Sequence, residues 1–358
     1  MVKKLSAVGF ILAGLAVFFS SAFSEPRFAL RTGSRCDVCH VNPTGGGMRN
    51  DYGALYYAVE ELPMPKLKQK IGSTTIDREL SKSVQFGSDF RMLYYSNTQT
   101  PEENSFFQMQ GDLYLNLILN EYLSAYFRKG VYTDYEAYGM IKFNKLDSYL
   151  KFGYLSPPYG LKFVEHDAFV RTQLALDPHS NDAGVEFGYE PKSFSFAFGV
   201  LNGSASVPID YNRNKAVYFR SLYIRNLGRN SGLLLGASIR NMDLGSSSRI
   251  NYTSWGIDAG FSYSRFAFLS EADWVYENQD QIALLAEGSC VLAKGIDLRT
   301  SYEYFKPDYP SSSEKMERLS FGIALFPLPS SEFQAKYRFH WGNSLEKDRL
   351  YLTLHLFM

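Results

Sequence analysis

From about residue 83 to the end of the chain, apolar and polar residues alternate with a period of two, which is typical of β-strands whose two faces meet different surroundings. Segment 333–341 places apolar, mostly aromatic residues on one face and polar or charged residues on the other. Segment 112–120 has leucine at every second position, namely Leu113, Leu115, Leu117 and Leu119. Such segments predict long strands, and roughly 9–11 residues are needed to cross a bilayer at a tilt.

Sixteen segments of this kind occur, and an even strand count is expected for a bacterial outer-membrane barrel. They are centred near residues 89, 113, 126, 139, 151, 186, 198, 220, 238, 257, 271, 287, 300, 321, 337 and 353. Tight connections such as 264–265 alternate with long ones such as 202–214, which matches the short periplasmic turns and longer extracellular loops of such barrels. The predicted fold class is all-β, a 16-stranded antiparallel transmembrane β-barrel over residues 83–358, with a soluble β-sandwich as the alternative.

The polar faces of these strands are expected to line the lumen. The charged residues expected there include Glu271, Asp273, Asp297, Arg299, Lys336 and Arg338. Cys290 lies on the opposite, apolar face and is interpreted as a small lipid-facing residue. The longest connection, 156–181, looks like the third loop of general porins, which folds inward; a loop that stays outside is the alternative. Asp177, His179 and Asp182 suggest metal ligands, or else a solvated loop.

Composition supports this class of protein and excludes others. The chain of 358 residues has 26 Tyr, 28 Phe and 3 Trp, and aromatic girdles are typical of membrane barrels. Its mean hydropathy of −0.21 is too polar for a bundle of membrane helices. The formal net charge is zero, which argues against binding of nucleic acid. Sequence motifs of phosphate-binding loops and of hydrolases are absent, so hydrolytic chemistry has no support.

The N-terminus predicts export. Lys3 and Lys4 precede an apolar run, 5–23, and a small-residue cleavage motif ends at Ser24. This order is that of a secretory signal peptide over residues 1–24. Because the apolar run is almost long enough to span a bilayer, a membrane anchor is the alternative.

A short distance after this leader lies the segment Cys36-Asp37-Val38-Cys39-His40. Its C-x-x-C-H spacing is that of a c-type haem attachment site. Two thiols at this spacing can add to both vinyl groups of one haem, and the adjacent histidine then reaches the iron. The motif predicts one haem c, bound covalently by Cys36 and Cys39, with His40 as the proximal iron ligand. A disulfide between the two cysteines is the alternative in an oxidising compartment.

The flanks of the motif give weaker indications. Met48 and Met64 are the nearest candidates for a distal iron ligand, and each can equally be a packed methionine. Segment 63–70 contains two prolines and a basic run and is interpreted as a linker. A cytochrome c segment over residues 25–80 has too little apolar material for a core of its own. We therefore expect it to plug or cap the lumen of the barrel.

A single haem motif followed by a complete barrel resembles the fused monohaem cytochrome–porin family of outer-membrane iron oxidases. The resemblance is carried by Pro26-Arg27-Phe28-Ala29, Arg31-Thr32-Gly33, the haem motif and Asn50-Asp51-Tyr52-Gly53, and by architecture over the rest of the chain. It implies an iron:cytochrome c oxidoreductase in the outer membrane of a Gram-negative-type bacterium. Such a protein takes electrons from an extracellular donor such as Fe(II) and passes them to a periplasmic cytochrome c. The alternative is a passive or substrate-selective porin whose plug carries the haem.

Overall fold

The computed structural model describes residues 26–71, 78–97, 104–131, 135–163, 165, 167–174, 176, 180–203, 215–228, 230–243, 251–276, 280–309, 314–342 and 347–358. The expected signal peptide lies outside these residues, as do Asp177 and His179. Within the described part of the chain, no helix has the length and apolar character that a membrane span requires.

The described residues form mostly strands. The strands are β1 (Glu79–Ser81), β2 (Val84–Asn97), β3 (Asn104–Ile118), β4 (Leu123–Gly130), β5 (Glu136–Phe143), β6 (Ser148–Leu155), β7 (Asp182–Tyr189), β8 (Phe194–Leu201), β9 (Ala216–Gly228), β10 (Ser231–Asp243), β11 (Asn251–Tyr263), β12 (Phe266–Tyr276), β13 (Gln281–Ala293), β14 (Ile296–Lys306), β15 (Met316–Leu325), β16 (Ser331–Gly342) and β17 (Arg349–Phe357). The helical elements are α1 (Pro26–Thr32), a 3₁₀ turn (Cys36–Val38), a π-helix (Tyr52–Glu61), α2 (Pro65–Ile71), a second 3₁₀ turn (Asn144–Leu146) and α3 (Phe169–Thr172).

Strands β2–β17 form a closed antiparallel barrel of sixteen strands. Each strand pairs with the next along the chain, and β17 pairs with β2, for example through Thr353 opposite Leu93. The short strand β1 pairs only with β2 and is not one of the sixteen strands of the barrel. Every predicted strand centre falls inside one of the sixteen strands, so the predicted fold class and strand count are confirmed.

The two faces of the barrel wall differ as the alternation predicts. Outward side chains are apolar and exposed, as at Ile257 and Phe268, which are 50% and 51% exposed. Inward side chains are buried polar or charged groups, among them Glu271, Asp273, Asp297, Arg299 and Arg338. Cys290 lies on the outward face, as predicted, because its neighbours Ser289 and Val291 are the buried ones.

The described residues of the connection 156–181 fold into the lumen. The backbone N–H of Leu161 donates to Glu271 Oε2 at 3.0 Å, and that of Phe169 donates to Glu303 Oε2 at 2.9 Å. Short helix α3 lies against β12, β13 and β14. The described part of this loop therefore folds inward as expected, and its backbone amides satisfy carboxylates of the barrel wall.

Residues 26–71 lie across the mouth of the barrel where the short turns are. Helix α1 contacts β9, β10, β11 and β12, and the π-helix reaches the turn between β15 and β16, where Ser330 N donates to Ala58 O at 3.2 Å. The linker interpretation of segment 63–70 is wrong in part, since α2 begins at Pro65. Proline is favoured at the first position of a helix, where no backbone N–H is needed. We call residues 26–71 the plug.

Candidate functional site

The C-x-x-C-H motif forms one compact turn within the plug. The N–H groups of Cys39 and His40 both donate to the carbonyl of Cys36, at 3.2 and 3.0 Å. The two cysteines are free thiols, so the disulfide alternative is not what the structure contains. The turn brings both sulfur atoms and the imidazole onto the same short stretch of backbone, as attachment of a single haem requires.

Asn50 ties this turn to the π-helix that follows. Its side-chain amide donates to the carbonyls of Asp37 and Val38 at 2.9 and 3.0 Å, and its backbone N–H donates to the Cys39 carbonyl at 2.9 Å. Gly53 is required here, because a Cβ at this position would lie 2.3 Å from the Cys39 carbonyl oxygen. In the sequence, Asn50 and Gly53 belong to a segment that carries the family resemblance. In the structure, they hold the C-x-x-C-H turn in place.

A loop of three glycines lies against Cys36. Gly45, Gly46 and Gly47 all have left-handed backbone angles, with φ of 86°, 76° and 64°, which glycine adopts without steric cost. A Cβ at Gly45 would lie 3.2 Å from the Cys36 sulfur, and one at Gly47 would lie 2.6 Å from the hydroxyl of Tyr126. The loop therefore leaves room beside the thiol that any larger residue would fill.

The motif faces a cavity inside the lumen. Cys36, Cys39 and His40 line it together with the glycine loop, the inner wall and the inward loop 156–163. The cavity is partly open to solvent and can hold the centres of water molecules over about 230 Å³. This volume lies just below the roughly 300–1,000 Å³ of common small-molecule and cofactor sites, so the lining residues, rather than the volume, indicate a haem.

The cavity is rich in cationic side chains. Those lining it are Arg35, Arg49, Arg91, Arg128, Lys162, Arg171 and Arg220. Several are held by carboxylates of the wall: Arg171 pairs with Glu271 at 2.7 Å and Arg220 with Asp258 at 2.8 Å. Guanidinium groups fixed in this way are positive charges at set positions, which favour an anionic group of a ligand nearby.

His40 also lines a second pocket, which opens at the short-turn mouth. Its other lining residues include Asp37 and Glu190 and the turns 119–122 and 144–147. The histidine of the motif thus lies between the lumen cavity and the short-turn side of the barrel. Burial raises the pKa of the Cys36 thiol to about 12, so the free thiol is protonated at neutral pH.

These residues fit a c-type haem. Two free thiols and a histidine occupy one turn, glycines keep the space beside Cys36 open, and fixed cations line the same cavity. Cys36 and Cys39 are the residues that would hold the group covalently, and His40 is the residue that would ligate its iron.

The methionines proposed as distal ligands lie elsewhere. Met48 is fully buried and packs with Tyr114 and Tyr126, outside the lining of the cavity. Met64 lies against Gly295 in the turn between β13 and β14, and its N–H donates to the carbonyl of Phe326, in the turn between β15 and β16, at 2.9 Å. A ligand role for either stays a prediction that its placement does not favour.

Two of the remaining histidines lie in the barrel wall. The imidazole of His355 bonds to Asp89 and Glu332, at 2.7 and 3.2 Å, and His340 lies on β16 beside Asp348. His166 and His179 belong to the part of the chain that the structure leaves undescribed. Among the described residues, no group of three or more His, Cys, Asp or Glu side chains is arranged to hold a metal ion.

Long-range ion pairs dock the plug onto the wall, and no local sequence pattern indicates them. Arg27 lies 3.3 Å from Glu287, and Arg31 lies 3.9 Å from Asp297 while donating to Ser289 at 2.9 Å. These arginines belong to the first turns of the plug and their partners to β13 and β14. Because partners more than 200 residues apart share no local pattern, only their charge and inward position could have suggested them.

Comparison with protein-family models finds no match, and comparison with curated proteins finds none either. Solved structures do match. OmpT of Vibrio cholerae, folded in vitro, superposes with a TM-score of 0.61 at 13% identity, covering 79% of this chain and 100% of that one. An anion-selective porin from Comamonas acidovorans gives 0.57 at 9% identity, covering 77% and 99%. The outer-membrane channel DcaP of Acinetobacter baumannii gives 0.55 at 11% identity, covering 80% and 100%. This chain therefore has the fold of the outer-membrane porins.

Proposed function

We propose that this protein is an outer-membrane barrel that carries one c-type haem in its lumen and passes electrons through it. The observation that carries the proposal is that Cys36, Cys39 and His40 line one cavity within the barrel wall. The apolar outward face and the porin fold support location in the outer membrane. The resemblance to the fused cytochrome–porin family adds the expected donor, extracellular Fe(II), and the expected acceptor, a periplasmic cytochrome c.

The arrangement of the plug supports a direction for the exchange. In outer-membrane barrels the short turns face the periplasm, and the pocket that His40 shares with Asp37 and Glu190 opens on the short-turn side. The inner cavity lies on the other side of the same histidine. A periplasmic acceptor can therefore approach the motif from one side, and a small donor can approach from the lumen.

A bound c-type haem supplies one-electron chemistry at its iron, with a potential set by ligands, hydrogen bonds and burial. The residues of this chain supply the surroundings. Cys36 and Cys39 hold the group, and Asn50 fixes the turn that carries them. Arg220 offers a cation on the cavity side, held in place by Asp258. The wall keeps lipid away from the site.

A second function is a channel whose plug narrows the pore, and the likeness to solved porins favours it at the level of fold. The filling of the lumen argues against a wide passive pore. The plug crosses the short-turn mouth, and the inward loop adds contacts with β12, β13 and β14. Selectivity would then come from charged wall residues such as Glu271.

Electron transfer is tested in sealed vesicles. The full chain, matured in a host that attaches haem c, is reconstituted with a soluble cytochrome c trapped inside, and Fe(II) is added outside. We expect reduction of the trapped cytochrome by the wild type and its loss in the Cys36→Ser/Cys39→Ser variant. The Cys290→Ser variant is the control, since that thiol faces outward. Equal rates for wild type and double variant would contradict the proposal.

Channel function is tested by conductance in planar bilayers. We expect low ion conductance for the full chain and a clear increase when residues 25–80 are deleted. High conductance of the intact chain that deletion leaves unchanged would favour a porin with an incidental plug.

A further inference from the structure

Lys162 lies in the lumen, and its amine donates to neutral groups. It belongs to the inward loop and lines the same cavity as Cys36, Cys39 and His40. Its ammonium group donates to the Ser156 hydroxyl at 2.9 Å and to the Pro157 carbonyl at 2.7 Å. Both acceptors are neutral and lie within the same loop. The amine is therefore not tied to a carboxylate and can be released without breaking an ion pair.

The glycine loop places this lysine close to the haem motif. A Cβ at Gly45 would lie 3.2 Å from the Cys36 sulfur, and a Cβ at the next residue, Gly46, would lie 3.9 Å from the Lys162 Cβ. One residue of backbone therefore separates the contact with the thiol from the contact with the lysine. The flexible four-carbon stem of a lysine can carry its amine several ångströms into the cavity.

Besides Lys162, the described cavity lining offers carboxylates to the iron, among them Asp89, which already contacts His355 and Arg49. Arginine is excluded because its guanidinium does not lose its proton in proteins. Tyr114 donates its hydroxyl to Asp89 at 3.0 Å and lies 3.3 Å from a carboxylate oxygen of Asp112. Two adjacent carboxylates oppose the phenolate that ligation needs. Met48 lies outside the lining.

The charge state of the Lys162 amine also suits donation to iron. Burial, followed by the positive charge of Arg171, lowers the pKa of Lys162 to about 7. A lysine amine binds a metal only through its unprotonated lone pair. The lowered pKa favours that form of Lys162 more than the pKa of an exposed lysine does.

We propose that Lys162 is the second axial ligand of the haem iron, opposite in role to His40. This inference rests on the proposed haem and names a ligand that the motif itself does not contain. It also gives the inward loop a part in the haem site, since the loop carries the ligand across the lumen to the plug.

The test is spectroscopic and uses the full, haem-loaded chain in detergent. Electronic absorption and electron paramagnetic resonance spectra of the ferric protein report spin state and ligand type. We expect a low-spin, six-coordinate wild type that becomes mainly high-spin in Lys162→Ala and is low-spin again in Lys162→His. Lys336→Ala and Met48→Leu are the controls and should keep the wild-type spectrum. Heat-modifiable migration of the barrel on gels verifies folding of each variant.

The outcomes separate this inference from the function beneath it. Haem present, with a Lys162→Ala spectrum identical to wild type, overturns the ligand and leaves the haem proposal standing. A lower haem content without a change of spin state also overturns it, because Lys162 would then bind a propionate. A high-spin wild type, or loss of the low-spin signal in Met48→Leu alone, contradicts it too. A wild type without haem overturns both proposals.

Discussion

The barrel wall and the plug reach their structures by different routes. In the wall, each strand alternates apolar outward residues with polar inward residues. Each strand also pairs with its neighbour along the chain. The plug has two short α-helices, a 3₁₀ turn and a π-helix. Its buried residues, such as Phe28 and Leu30, pack in clusters shared with the wall. A wall can thus fold by local rules, whereas the plug needs the wall as its core.

The contrast is sharpest where the plug is docked by a buried ion pair. Removing one partner of such a pair leaves an uncompensated charge and costs about 3–5 kcal/mol. We expect Arg27→Ala, which strands Glu287 on β13, to loosen the plug and raise ion conductance while the barrel still folds. Lys68→Ala is the matched control, because its partner Glu60 is exposed. An unchanged conductance in Arg27→Ala would show that apolar packing alone holds the plug.

The wall should be sensitive on its outer face instead. Ile257 lies at the middle of β11 and is 50% exposed on the apolar side. Ile257→Arg should cost about 2–4 kcal/mol of folding free energy in lipid, the usual cost of arginine at mid-membrane depth. Tyr309→Arg, in the loop after β14, should cost little. Equal effects in denaturant titrations from lipid vesicles would argue against a membrane-spanning wall.

Within the plug, the C-x-x-C-H turn should depend on the hydrogen bonds that Asn50 donates to it. Asn50→Ala removes two side-chain hydrogen bonds to the carbonyls of Asp37 and Val38. A lost hydrogen bond that leaves a partner unsatisfied costs about 1–3 kcal/mol, so we expect faster hydrogen exchange at residues 36–40. Exchange along β10 and β11 should stay the same. Faster exchange in the wall as well would mean that plug and wall unfold together.

A further expected effect depends on pH. Burial, followed by the charge of Asp37, raises the pKa of Glu190 to about 8. The folded protein then holds a proton that the unfolded chain releases near pH 4.5, so this group destabilises the fold increasingly as pH rises from about 4.5 to 8. Glu190→Gln should therefore stabilise the plug at pH 8 and have little effect at pH 4. Hydrogen exchange of the plug at both pH values checks this, and the opposite order would contradict it.

The sequence predicts the wall better than the plug, because strand alternation is local and the contacts of the plug are not. Alternation in segments such as Asn251–Tyr263 is a local signal, so the strand positions and the closed barrel could be predicted. The haem motif was visible because its five residues are contiguous. The placement of Lys162 beside the glycine loop and the pair between Arg31 and Asp297 could not be predicted, since each joins distant parts of the chain. Helix α2 was missed because two prolines and a basic run suggest a linker.

The stoichiometry of haem per chain decides whether one haem is held covalently in the lumen of this barrel. The full chain is matured with haem c, purified from the outer-membrane fraction, and assayed as the pyridine haemochrome against protein concentration. We expect one haem per chain in the wild type and in Cys290→Ser, and none in Cys36→Ser/Cys39→Ser. A wild-type value of zero or two, or haem retained by the double variant, would contradict it.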